Sequence, residues 1–101
     1  MILPADHPYL RWVLLKLLAS NGGGYWAADG SLSRGLDAIG FGASMAQVRA
    51  GLVWLADVGA VEVKNAGENV SARLCQPGLD VVEGRQVLPG IKKPLHLDLE
   101  E

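Results

Sequence analysis

Cysteine is almost missing from this chain: Cys75 stands alone. One thiol closes no intrachain disulfide and suits a reducing cytoplasm. Histidine occurs twice, at His7 and His96, towards opposite ends. With Cys75 these residues make none of the spacings that hold zinc, so no metal and no cofactor is expected. An excess of cations is also lacking. The formal net charge is -2, whereas strong nucleic-acid binders are usually basic or carry a basic stripe. Any contact with DNA must therefore rest on local charge. No apolar run is long enough to span a bilayer, so no membrane association is expected. Met1–Asp6 offers neither a basic n-region nor a long apolar h-region. A signal peptide is not expected, and the cytoplasm is the expected compartment.

Catalytic constellations are missing too. There is no Gly-x-Ser-x-Gly to form a nucleophile elbow. Gly22-Gly23-Gly24 lacks the Lys-Ser/Thr that would complete a phosphate loop, so it reads as a flexible turn. The carboxylates are scattered. Asp57 reads as a helix-end acid and Glu100-Glu101 as a solvated end. No enzyme is expected.

What is present is apolar. Of 101 residues, 50% are hydrophobic and 20% charged, which makes a globular chain of one domain. The apolar share is high for this size. It fits surface buried against another chain, and it also fits core alone.

Taken in order, Asp6 is placed to cap a first helix, with His7 and Pro8 in its first turn. Leu10, Val13, Leu14, Leu17 and Leu18 form its inward stripe, while Trp12 and Leu15 project from the other side. That second apolar face packs under a C-terminal helix of the same chain, or it forms a dimer interface. Tyr25–Ala28 reads as a short strand that pairs with a later hairpin. Trp26 reads as a core or rim anchor rather than a base-stacking platform, because no basic residue adjoins it in sequence. Ser31 reads as the cap of a second helix carrying Leu32, Leu36 and Ile39. Gly40–Ala43 is the turn that follows, with Phe41 as its core plug.

The next stretch, Ser44 to Glu62, organises the chain. Ser44 is a good N-cap. Met45, Val48, Leu52 and Leu55 recur at helical spacing, and Gly59 supplies a left-handed stop. Val61 and Val63 then alternate with Glu62 and Lys64, the period of a strand. A turn at Asn65–Asn69 leads into Val70–Leu74. Gln76-Pro77-Gly78-Leu79 opens a last helix expected to run to about Leu88, where Pro89-Gly90 ends it. In the tail, Leu95, Leu97 and Leu99 alternate with His96, Asp98 and Glu100, a strand pattern that adds to a sheet edge here or in a partner, or, being terminal, stays disordered.

The capped helix, glycine stop and immediate strand resemble the passage from recognition helix to wing in ArsR- and MarR-like winged helix-turn-helix repressors. Gln47-Val48-Arg49, Leu52-Val53-Trp54-Leu55, Gly78-Leu79-Asp80-Val81 and Gly84–Pro94 are also similar to small ArsR-like proteins of Mu-like prophages. The resemblance implies an α+β, mostly α fold: a winged helix-turn-helix with a three-helix core, a β-hairpin wing and a C-terminal helix. Residues 1–90 would form that domain and 91–101 a C-terminal tail. It also implies a phage-derived transcriptional regulator that binds double-stranded DNA, paired as a homodimer through its first and last helices. Metal-sensing members carry Cys-x-Cys in the recognition helix. Arg49-Ala50-Gly51 stands in that region here, so metal sensing is not carried over.

On this reading Ser44, Gln47 and Arg49 would read the major groove, and Arg34, Lys64 and Arg73 would hold the phosphates. The alternative is a winged-helix module that binds protein and not DNA. Val53 and Trp54 would then be its anchor, with the Leu95, Leu97 and Leu99 tail, since contact hot spots favour Trp. Trp54 could also fold back over the wing or the tail.

Overall fold

Helix α1 (Pro8–Ser20) is apolar nearly all round, and such a helix is stable only inside a fold. Around it a computed structural model, which describes residues 7–20 and 24–94, arranges the rest of the chain. Among these residues the fold is α+β: four helices and one three-stranded antiparallel sheet. After α1 come β1 (Ala27–Ala28), α2 (Asp29–Ala38), α3 (Met45–Asp57), β2 (Val61–Ala66), β3 (Asn69–Leu74) and α4 (Gln76–Val82). The strands lie in the order β1-β3-β2. No helix among the described residues is long and apolar enough to cross a membrane.

One face of α1 meets α3. The contact is so close that a Cβ at Gly51 would stand 2.9 Å from Leu14 Cδ1. The other face meets α4, where a Cβ at Gly78 would strike the Ala60 carbonyl oxygen and lie 3.1 Å from Leu15 Cδ2. Trp12 and Leu15 are therefore buried inside the chain, at 6% and 0% exposure. Of the two readings of that face, packing within the chain holds, and neither residue is available as a dimer contact. The expected Asp6 cap lies outside the described residues. His7 acts instead: its Nδ1 accepts from the Leu10 amide at 3.2 Å.

The cap of helix α2 lies three residues before the expected Ser31. It is Ala28, which has no capping side chain, and the buried Asp29 is the first helical residue. Phe41, in the turn after α2, is half-buried against the core and tilts against His7. Helix α3 follows the sequence expectation closely. Ser44 and Gln47 close a reciprocal capping box, and Gly59 takes φ +80 at the stop.

The hairpin is tighter than expected. Strand pairing continues to Ala66↔Asn69, so the turn is Gly67-Glu68 rather than five residues. Gly67 has φ +66 while Glu68 does not have a positive φ, as a type II′ turn requires. Helix α4 ends at Val82 and not near Leu88. Asp80 draws the following turn back on itself by accepting the Arg85 backbone amide at 2.8 Å and its guanidinium at 3.0 Å. The chain beyond residue 90 still packs on the body. Ile91 is buried, and the Lys92 amide donates to the Pro8 carbonyl at 3.1 Å. Residue 90 is therefore no packing boundary. The sheet-edge expectation for Leu95, Leu97 and Leu99 falls outside the described residues.

Candidate nucleic-acid interface

The start of α3 is set by its capping box. The Gln47 amide donates to Ser44 Oγ at 3.1 Å, and the Ser44 amide donates to Gln47 Oε1 at 2.8 Å. Two expected groove readers thus spend polar atoms on finishing the helix. Arg49, the third, turns toward α2. Its Nε donates to Asp29 Oδ2 at 2.7 Å, and the Val70 amide of β3 donates to the same oxygen at 3.2 Å. Arg49 Nη2 reaches the Glu68 carbonyl in the hairpin turn, at 3.5 Å. One carboxylate and one guanidinium therefore tie α2, α3 and the hairpin together.

Asp29 is 1% exposed. The Arg49 guanidinium beside it holds its carboxyl below the usual carboxylate range, helped by the Val70 and Gly30 amides and opposed by burial. Sequence reading missed this residue, because Ser31 looked like the better helix start. The available signal was a short acid one residue after a candidate strand and ahead of an apolar helical pattern.

The backbone-contact residues divide. Arg34 is exposed on α2, where its Nη2 donates to Ser31 Oγ at 3.2 Å. Lys64 and Arg73 share the outer face of the sheet, and both lie over Trp26. The Lys64 Nζ is 4.2 Å from the ring centroid and the Arg73 guanidinium carbon 4.8 Å. Arg73 also forms an ion pair with Glu62, its cross-strand neighbour. Trp26 thus has basic neighbours after all. They come from β2 and β3, and no scan of adjacent residues could find them.

The protein-anchor candidates divide as well. Val53 is 52% exposed on α3. Trp54 is only half-buried, but its ring is already taken. The Arg11 guanidinium carbon lies 3.9 Å from its centroid, and a Cβ at Gly90 would come within 2.6 Å of the ring. Arg11 is itself buried and donates from Nη1 to the Gly90 carbonyl at 2.9 Å. Trp54 therefore folds back over Gly90, in the segment after α4, rather than over the wing, and this corrects the outward anchor. Leu95, Leu97 and Leu99 lie outside the described residues.

Elsewhere, a groove of about 850 Å³ runs between α1, α4 and residues 86–93, with Trp12, Lys16, Leu88 and Lys93 in its wall. Among the described residues no group of three or more His, Cys, Asp and Glu is arranged to hold a metal ion. Burial pushes the Cys75 thiol up, as does the nearby Glu62 carboxylate, so it is a poor nucleophile at neutral pH. What the fold and this edge define is a small α+β domain whose third helix and hairpin tip are joined by one arginine. No protein-family model matches the chain, and comparison with curated proteins and with solved structures likewise finds no match.

Proposed function

We propose that the chain is a DNA-binding transcriptional regulator of winged helix-turn-helix type, with α2 and α3 as its helix pair and β2-β3 as its wing. One observation carries the reading. The capped N-terminal half of α3 and the hairpin tip stand side by side, bridged by Arg49 from Asp29 to the Glu68 carbonyl. A rod and a ribbon on one edge is the shape that enters a major groove and follows the neighbouring backbone. The element order and the sheet order β1-β3-β2 support it.

Within this reading the α3 N-terminus is the groove-facing end, where oriented amides favour phosphate. Arg34 and Lys64 supply backbone contacts, and Arg73 adds to them while paired with Glu62. A homodimer in the cytoplasm and a phage origin belong to the same proposal. The pairing surface lies away from Trp12 and Leu15, which α4 covers.

A specific observation favours the second reading, a protein-interaction module. The outward positions of α3 are Ala46, Ala50, Val53 and Asp57, all exposed and none cationic. A salt titration on mixed-sequence duplex separates the two. The regulator binds at low salt and loses affinity steeply as salt rises, because each neutralised phosphate releases counterion. No binding at low salt removes the regulator and leaves the interaction module.

A further inference from the structure

We infer that Asp29 restrains Arg49 and thereby sets how strongly the α3–hairpin edge attracts a polyanion. Arg49 acts as a positioning residue here and not as a phosphate contact. The inference rests on the duplex-binding reading above.

The geometry separates the two charges in an unusual way. The side chain of Asp29 is 2% exposed and that of Arg49 is 42% exposed. The carboxylate is fixed at the head of α2, where the Arg49 Nε and the Val70 amide converge on one oxygen. It is almost entirely out of water. The guanidinium has one edge in water and one edge on the carboxylate. A phosphate that approaches from outside therefore meets a cation whose charge is already matched at 2.7 Å. To give itself fully to the phosphate, Arg49 would have to leave a buried carboxylate unpaired, and an unpaired buried charge is strongly unfavourable. So Arg49 stays where it is. Its second contact, to the Glu68 carbonyl, then fixes the hairpin tip beside α3.

Asn at position 29 has nearly the same shape. It keeps a carbonyl oxygen for the Val70 amide and the Arg49 Nε, and it removes the charge. The Arg49 cation would then be unmatched on the edge. A purely structural role for the pair predicts the opposite, since weakening it would loosen the edge and lower affinity.

The test uses the whole chain and a fluorescent mixed-sequence duplex, with log K followed against log salt. Each variant's fold is checked by circular dichroism and thermal melting. Asp29→Asn is expected to bind several-fold more tightly than the unaltered protein, with a slope steeper by about 0.9, the increment for one more phosphate. The double variant Asp29→Asn, Arg49→Gln is expected to return to the original slope. Arg49→Gln alone is expected to leave the slope unchanged; it strips the buried Asp29 of its partner, so the double variant, which leaves no buried charge unpaired, keeps the test decisive if either single variant fails to fold. A slope for Asp29→Asn that is equal or shallower overturns the inference while leaving duplex binding intact. So does a drop of about 0.9 on Arg49→Gln alone, because Arg49 would then be a phosphate contact in its own right. If neither the unaltered protein nor Asp29→Asn binds at low salt, the inference and the function both fall.

Discussion

Asp29 and Arg11 are ionisable groups held out of water, and each is satisfied by partners from other elements. Asp29 is met by Arg49 and Val70; Arg11 lies on the Trp54 ring and donates to the Gly90 carbonyl. Removing Arg11 would orphan that carbonyl and unseat the ring. Arg11→Ala is expected to destabilise the fold by about 1–3 kcal/mol, read as a lower urea midpoint. Gly78 is tighter still, since a methyl there meets the Ala60 carbonyl, which also accepts from the Cys75 amide at 3.0 Å. Gly78→Ala is expected to lose about 1–3 kcal/mol by forcing α4 away from α1.

Two buried residues contribute to the pH response. Burial lowers the His7 pKa from its ordinary 6.5, so the folded state prefers the neutral ring. Its Nδ1 must stay unprotonated to accept from Leu10. This contribution is complete above pH 6.5 and is lost as pH falls through the lowered folded value. Asp29, also lowered, contributes above the ordinary carboxylate value and is lost further down, as pH falls through its own folded value. Urea midpoints are therefore expected to fall in two stages on acidification. His7→Asn, which keeps a capping oxygen, is expected to remove the first stage only. These roles are not legible locally: the residues that hold Arg11 inside, Trp54 and Gly90, lie 43 and 79 positions away.

Among the elements, α3 is the one most fully legible from sequence. Its cap, its period and its stop are all local signals, and local hydrogen bonds realise them. The Ser44–Gln47 box is an example. Ser44→Ala is expected to cost about 1 kcal/mol of stability, measured by thermal or urea melting. Other elements depart from the sequence expectation, some through distant partners and some through local ones. Helix α2 starts at Asp29 because Arg49 and Val70 hold that carboxylate in place, whatever Ser31 offers. Helix α4 stops at Val82, before the polar stretch Glu83-Gly84-Arg85-Gln86. Gly84 takes φ +81 and Asp80 captures Arg85 there, and Val87 ends up 87% exposed. The hairpin turn is narrower than its sequence suggests: Asn65 and Asn69 look like turn residues, while β2 and β3 pair as far as Ala66 and Asn69.

For the molecule as a whole, the order of elements could be read from periodicity, but which surfaces cover one another could not. The first helix carries two apolar faces in either outcome. Only the packing of α4 and residues 86–93 shows that the chain covers both itself. Charge tells a similar story. Arg49 and Arg73 look available when counted in the sequence, yet each is paired with a carboxylate in the fold. The proposed DNA footprint is accordingly modest, and a shallow salt slope of about 2–4 is expected for one subunit, by the counterion increment for a few phosphates. Where the duplex sits is open to direct observation by amide chemical-shift mapping of the labelled protein during titration with a short mixed duplex. The account predicts shifts concentrated at residues 44–50, around Arg34 and along the hairpin from Lys64 to Arg73, with the groove beside Trp12 undisturbed. Shifts confined to that groove, or none at low salt, would contradict it.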